Sequence, residues 1–356
     1  MAVRDQPTGP RPPKRLVTLA ARLFTDPGQQ QAFVDHVSRP GPPPRRCRLR
    51  TAGGGAEPPA GTRANWQPPL PLPAFVEPWP ARPDRTTAVA GDDPEHDYVL
   101  DLSSVLAALP LITLAPPADR PHGLRALDLC AAPGGKTVFT WLALQPGLLL
   151  ANEVIGKRLA ILRHNLTRCG LPGERVFTQR LDPAALADLA AGMFDLVVCD
   201  APCSGQSLPA RGIDNPGAFH PATVQHNVKR QRRILAAAAR LVKPGGHLFY
   251  STCTFNLAEN ESNMRWLLRR FDPPWQAVDP VPQLPGLAAM RSPHADFPCF
   301  RFYPHLGHGG GGFSCLLQRR AEPAQSCGRE LPAALTAWPV RRSQPRNDGD
   351  QPVREN

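Results

Sequence analysis

Between residues 124 and 250, short apolar runs alternate with longer stretches of helical spacing. That alternation restricts the chain to a doubly wound α/β sheet, mostly parallel, with helices on both faces. The runs at 124–129, 147–151, 175–179, 194–199 and 246–250 are predicted strands, and 137–143, 156–169, 183–190 and 221–241 are predicted helices. Lys243-Pro244-Gly245-Gly246 is predicted to stop the last helix and turn the chain into the next strand. In an open sheet of this kind, ligands bind beyond the carboxyl ends of the strands. The chemistry of the chain should therefore lie in the loops that follow those ends.

All five of these strand ends carry residues that suit a ligand site. The first strand runs into Cys130-Ala131-Ala132-Pro133-Gly134-Gly135-Lys136. Its glycines let the main chain pass close to a ligand, and the helix that follows offers free N–H groups. Neither GxxxxGK[ST] nor GxGxxG is present, which argues against an ATP loop and against a dinucleotide enzyme. The second strand ends at Asn152-Glu153, where an acid can accept from ribose hydroxyls, and the third at Leu181-Asp182, where a carboxylate can meet an adenine amine. A nucleoside without a pyrophosphate satisfies this set, and S-adenosylmethionine is the candidate cofactor.

The fourth and fifth strands end in Asp200-Ala201-Pro202-Cys203-Ser204-Gly205 and Ser251-Thr252-Cys253-Thr254. An arbitrary cysteine is a small buried hydrophobe. Cys130, Cys169, Cys199, Cys299 and Cys315 fall inside apolar patterns, whereas Cys203 and Cys253 sit in loops at strand ends. A thiol beside a methyl donor suits methylation of a pyrimidine carbon. Carbon 5 of cytosine is a poor nucleophile until a thiolate adds to carbon 6, and Asp200 is placed to hydrogen-bond the base edge at N3 and the exocyclic amine.

Residues 127–137 (LDLCAAPGGKT), 200–205 (DAPCSG), 243–254 (KPGGHLFYSTCT) and Asn256 with Glu259-Asn260-Glu261 together resemble the NOP/Sun family of RNA cytosine-5 methyltransferases. The likeness spans roughly 93–320 and includes 98–104, 231–235 and Arg301 with Pro304-His305. It implies a Rossmann-like class I methyltransferase fold. It also implies Cys253 as nucleophile, Cys203 as the thiol that assists product release, and Cys130–Lys136 with Glu153, Asp182 and Asp200 as the S-adenosylmethionine site. Lys136 is expected to order Asp200 or the substrate. Glu153 stands where many members carry Asp, and 211–217 lacks the usual aromatic before His220, for which Phe219 can substitute. Two rivals stay open: a DNA enzyme with Cys203 attacking, and a catalytically silent RNA-binding or ribosome-assembly factor.

Charge points the same way. The net charge of +11 favours a polyanionic partner, and only five of the 41 basic residues are lysines. Arginine suits bidentate phosphate contacts and base stacking. Arg45, Arg46, Arg48 and Arg50 are the expected RNA contacts, and 229–233 and 265–270 are further basic stretches. The partner is expected to be ribosomal or transfer RNA, with the target cytosine unstacked. Nine cysteines without a CxxC pair signal neither a disulfide framework nor a metal site, and no apolar run approaches the 18 residues of a membrane span. A cytoplasmic monomer is expected.

Outside the alternating region, 1–15 and 321–356 are expected to be disordered tails, and 16–92 a small basic N-terminal region. Within it, 16–37 is predicted to form two helices split at Pro27-Gly28, and 40–73 an irregular segment with Gly53-Gly54-Gly55. The methyltransferase-like domain is expected over 93–320, opening with a helix at 98–109. Runs at 299–303 and 313–318 are predicted to close it as an antiparallel edge hairpin around 307–312.

Overall fold

The computed structural model describes residues 12–38, 45–51, 66–79, 97–114, 123–271, 274–321 and 330–340. The first eleven residues, Gly53-Gly54-Gly55, Cys327 and the last sixteen residues lie outside that set.

Two helices open the chain, α1 (Lys14–Leu23) and α2 (Pro27–Ser38). The break falls at Pro27, as predicted, because proline is welcome in the first turn of a helix and not inside one. Helix α1 begins inside the segment read as a tail. Three short strands follow: β1 (Arg46–Leu49), β2 (Val76–Trp79) and β3 (Tyr98–Asp101). They form an antiparallel sheet in the order β2-β1-β3. Here the prediction of a helix over 98–109 fails at its start. Residues 98–101 pair with 49–46, and the helix α3 (Leu102–Ala108) begins only when Asp101 caps it by accepting from Ser103 N. The strand is fixed by a partner some fifty residues away, which no local period reveals.

The main sheet carries the predicted alternation. Strands β4 (Arg125–Asp128), β5 (Leu148–Asn152), β6 (Val176–Gln179), β7 (Phe194–Asp200) and β8 (Val242–Thr252) run parallel. Helices α4 (Gly135–Leu144), α5 (Gly156–Arg168), α6 (Pro183–Leu189) and α7 (Pro221–Leu241) cross between them. After β8 come α8 (Glu261–Arg270), β9 (Trp275–Ala277), β10 (Phe300–Phe302) and β11 (Gly312–Arg319). The strand order is β10-β11-β8-β7-β4-β5-β6, and β9 also pairs with β11. The predicted antiparallel edge is present, since β11 runs against β8, β9 and β10. Residues 243–246 are not a plain turn. Phe194 pairs with Val242 and Leu196 with His247, so they bulge out of a strand that has already begun.

Both faces of the sheet are buried. Ala126, Leu149, Val176 and Leu196 pack on one side, and Leu127, Leu150, Val197 and Leu248 on the other. This explains why the strands read as continuous apolar runs rather than as alternations. A third cluster joins α1 and α2 to Phe255 and Tyr303, so the N-terminal helices cover the segment just beyond β8. One further expectation is overturned at the other end. Within the segment read as a disordered tail, 330–340 lies along β6: Val340 N donates to Val176 O, Thr178 N to Trp338 O, and Leu335 is buried. The exposed edge of β6 supplies backbone partners that polar composition cannot announce.

Candidate active site

Strand order reverses between β4 and β7, where the crossover connections leave in opposite directions and open a crevice. On the β4 side the loop after Leu129 is pinned by helix α5: Arg158 Nη2 donates to Ala132 O at 2.7 Å and Asn165 Nδ2 to Pro133 O at 2.8 Å. Gly134 takes φ +118°, a backbone region L side chains avoid, and so directs the chain into α4. Asn152 ties the neighbouring strand ends together, donating to Leu129 O and Leu181 O and accepting from Leu181 N.

Two adjoining cavities result. One, of about 230 Å³, is lined by Cys130, Glu153, Ile155, Asp182, Pro202 and Arg233, among others. Glu153 is buried, accepts from Ile155 N at 2.9 Å and pairs with Arg158 Nη1 at 3.0 Å. Asp182 is exposed and caps α6 through Ala184 N. The second cavity, of about 290 Å³, holds Ala131, Ala132, Pro133, Gly135, Lys136 and Asp200 together with Cys253. Cys130 borders both. Of the residues expected to hold the cofactor, only Gly134 turns aside, since its α-carbon faces Leu162 of α5.

The sequence reading passed over Asp128, which lines the second cavity. Its Oδ2 accepts from Thr137 Oγ1 at 2.7 Å, while its buried Oδ1 has no partner. Burial pushes its carboxyl up to about 7, against the opposing Thr137 hydrogen bond. An acid closing an otherwise apolar strand was the available signal.

Across the crevice, Cys203 follows β7 and Cys253 follows β8, and their Sγ atoms are 3.2 Å apart. Glu259 binds the two loops to each other. It accepts from Ser204 N at 2.9 Å, Ser204 Oγ at 2.5 Å and Gln231 Nε2 at 2.9 Å, and Gln231 also donates to Pro202 O. Asn260 accepts from Thr252 Oγ1 and donates to Thr254 O. Glu261 forms a buried ion pair with Arg301, whose Nη1 donates to Phe255 O at 2.9 Å. The acidic run after the second thiol is thus the clamp that fixes that thiol's backbone.

Charge distinguishes the two sulfurs. The Cys203 hydrogen bond lowers the Cys253 thiol to about 7, and Arg211 and Lys136 act in the same direction against burial and Asp200. Cys203 moves the other way, raised by its hydrogen bond to Cys253, by burial and by Glu259. Cys253 is the sulfur that lines the second cavity with Lys136, Arg211 and Asp200, and Cys203 is not among the residues lining it. Asp200 lies beside them, 2.8 Å from Lys136 Nζ and accepting from Ser251 Oγ at 2.6 Å. Of the two partners expected for Lys136, the structure sets Asp200 within hydrogen-bond reach of it.

The four arginines expected to bind RNA are not equivalent. Arg48 is a correction: it is buried, ion-paired with Asp97 and stacked 5.0 Å from the Trp79 ring. As the central strand of its sheet, β1 has little surface to offer. Arg45 donates to Gly307 O and lies over Trp66, and Arg50 pairs with Glu77 at the surface. Arg46 is half-buried. In the other basic stretches, Arg233 borders the first cavity and Arg232 stacks on Trp266. No helix among the described residues is long and apolar enough to cross a membrane.

Comparison with known proteins gives concordant results. The family described as 16S rRNA methyltransferase RsmB/F matches residues 112–318. The chain is 35% identical over 208 residues to the ribosomal RNA small subunit methyltransferase F of Cronobacter sakazakii, covering 56% of this chain and 41% of that protein. Against the protein of the same name from Klebsiella pneumoniae it is 36% identical over 190 residues, covering 52% and 37%. The chain thus spans about two fifths of the length of these relatives. Among solved structures, a methyltransferase homolog protein from Pyrococcus horikoshii aligns with a TM-score of 0.59 at 21% identity, covering 87% of this chain and 99% of that one. NSun6 from Pyrococcus horikoshii with SFG aligns with a TM-score of 0.61 at 18% identity, with the same coverage. These two likenesses concern the fold.

Proposed function

The chain belongs to the 16S rRNA methyltransferase RsmB/F family, and from that premise we propose that it methylates carbon 5 of a cytosine in RNA, with S-adenosylmethionine as methyl donor and Cys253 as the attacking thiolate. The observation that carries this reading is the pair of thiols 3.2 Å apart, with Cys253 lining the same cavity as Asp200 and Lys136.

The residues of the crevice fit the cofactor. Asp128 Oδ1 is a buried acceptor without a partner on the wall of the second cavity, which an ammonium group satisfies. Glu153 and Asp182 bring acceptors to the first cavity for ribose hydroxyls and an adenine amine. When bound, S-adenosylmethionine supplies an electrophilic sulfonium methyl. That SFG, an analogue of S-adenosylmethionine, accompanies a solved relative of the fold supports the choice.

The protein's own groups account for the rest. Cys253 sulfur adds to carbon 6 of the base, and the electron pair released toward carbon 5 makes that carbon nucleophilic. Asp200, held between Lys136 and Ser251, meets the N3 and amine edge where charge changes. After carbon 5 has taken the methyl group and lost its proton, the carbon 6–sulfur bond breaks and Cys253 leaves with the electron pair. Cys203, the neutral thiol in contact with Cys253, assists that departure. Cys253 lines the cavity that holds Asp200 and Lys136 and Cys203 is not among its lining residues, which disfavours Cys203 as the attacking group of a DNA-type mechanism. The relatives' names point to RNA of the small ribosomal subunit as substrate.

Purified wild type, Cys203→Ala and Cys253→Ala, each incubated with ribosomal RNA and labelled S-adenosylmethionine and run on a denaturing gel, test the reading. The expected result is a retained protein–RNA adduct for Cys203→Ala and neither adduct nor methylation for Cys253→Ala. Methylation by Cys253→Ala overturns the nucleophile assignment, and no transfer by wild type overturns the activity.

A further inference from the structure

The glycine-rich turn 307–312 reads in the sequence as a hairpin connection. In the structure each of its middle glycines lies against a named neighbour. A Cβ on Gly309 would stand 2.6 Å from both Asp101 Oδ1 and Ser103 N. One on Gly310 would stand 2.3 Å from Arg211 Nε and 2.5 Å from Arg211 Cγ. Arg211 ends the 3-10 turn Pro209–Arg211, in the loop that leaves Cys203. Its Nη2 donates to Ser103 Oγ at 3.2 Å and Gly311 O at 3.3 Å. The same loop is tied to the opposite thiol, because Ser207 N donates to Cys253 O at 3.1 Å. Arg211 also lines the cavity that holds Cys253.

We propose that Arg211 is a positioning residue for the nucleophile: held by Ser103 and Gly311 against the bare α-carbon of Gly310, it closes the Cys203 loop over the crevice and sets a fixed positive charge beside Cys253. The proposal rests on Cys253 being the attacking thiol. The titratable and charged groups acting on Cys253 are Cys203, Arg211, Asp200 and Lys136. Lys136 is already matched, with Asp200 at 2.8 Å. The carboxylate nearest Arg211 is Asp101, 3.9 Å away, and its Oδ1 is occupied by Ser103 N, Ser103 Oγ and Gly310 N. Those donors are neutral, so Asp101 keeps its charge and Arg211 is not unpaired. At 3.9 Å it is nevertheless matched less closely than Lys136, and is the cation with more of its charge left for the thiolate. The glycine run then has a further purpose: it leaves room for the arginine.

The test needs neither RNA nor cofactor. The full chain is alkylated with iodoacetamide across a range of pH, and labelling of the Cys253 peptide is followed by mass spectrometry in wild type, Arg211→Met, Arg211→Lys and Gly310→Ala. Arg211→Met is expected to raise the labelling midpoint by about 1 pH unit, about a fivefold loss of labelling rate at pH 7 and about tenfold well below it. Gly310→Ala is expected to shift it the same way, because the new methyl displaces an arginine that is still present. Arg211→Lys, which keeps the charge, should stay nearer wild type than Arg211→Met. An unmoved midpoint in Arg211→Met overturns the proposal alone. If that variant does not fold, a wild-type midpoint in Gly310→Ala overturns it instead. A low midpoint on Cys203 rather than Cys253 in wild type removes the reading of the thiols, and the proposal with it.

Discussion

Two thiol pairs stand close together in this protein, Cys203 with Cys253 in the crevice and Cys130 with Cys199 at the ends of β4 and β7. In each pair the neighbouring sulfur acts on the charge of the other, yet the outcomes differ. Cys253 falls to about 7 through its hydrogen bond with Cys203, with Arg211 and Lys136 acting in the same direction. Cys199 rises well above the ordinary thiol range: its hydrogen bond to Cys130 and its burial disfavour the charge, and Asp200 and Asp128 add to the effect. Thiol–thiol contact alone does not make a nucleophile. The sign of the charges around the pair decides which sulfur, if either, ionises.

The largest separation between the pairs is expected in methylation itself. Cys253→Ala should leave no methyl transfer to RNA above background, whereas Cys199→Ala should stay within about twofold of wild type, because a permanently neutral thiol takes no part in the addition. Loss of activity in Cys199→Ala with its fold intact would break the comparison. Next comes Asp200→Asn. It keeps the shape but removes the charge that Lys136 and Ser251 hold against the base edge, and turnover should fall by about 10²–10³-fold. A rise in KM with kcat unchanged would mean that Asp200 binds the substrate equally in ground and transition states.

A smaller effect lies in pH dependence. The Cys253 thiol sits below the ordinary value, so the thiolate is present above about 7 and is lost as pH falls through it. Below that point kcat/KM should drop about tenfold per pH unit if no other group limits the reaction. Alkylation of Cys253 should follow the same curve, while Cys199 and the buried Cys315 stay unlabelled in the native protein. A Cys253 midpoint near 9 would erase the difference between the pairs.

How much of this the sequence disclosed depends on how local each signal is. Strands β4 to β8 and the helices between them were legible because each is a contiguous apolar or amphipathic run, and the closeness of Cys203 and Cys253 was suggested because both interrupt that pattern at strand ends. Strand β3 was not legible, since only its pairing with β1 keeps 98–101 from continuing the helix that starts at Leu102. Arg48 misled for a related reason. Its position in an arginine-rich stretch suggests phosphate, but the centre of a three-stranded sheet and Asp97, across a gap of about fifty residues, turn it inward. The clamp residues Glu259 and Asn260 lay in a recognised run, but their partners Ser204, Gln231 and Thr252 could be assigned only once β7, β8 and α7 were side by side. The chemistry was written locally, and the geometry that sets its charge was not.

The smallest expected effect tests the inert side of the comparison through stability rather than activity. Cys199 lies with Leu127, Val197, Ile234 and Leu248 in the core on one face of the sheet. Removing its sulfur leaves a small void between strands and a helix that cannot fully collapse, so Cys199→Ala should cost about 1 kcal/mol in denaturant unfolding. The Cys203→Ala truncation also removes the sulfur that touches Cys253, but in a loop that Glu259 holds independently through Ser204. It should therefore destabilise less than Cys199→Ala while changing the reaction more. Should Cys203→Ala prove the more destabilising of the two, the sulfur contact itself would be holding the crevice together, and the release role of Cys203 would need to be separated from that structural one.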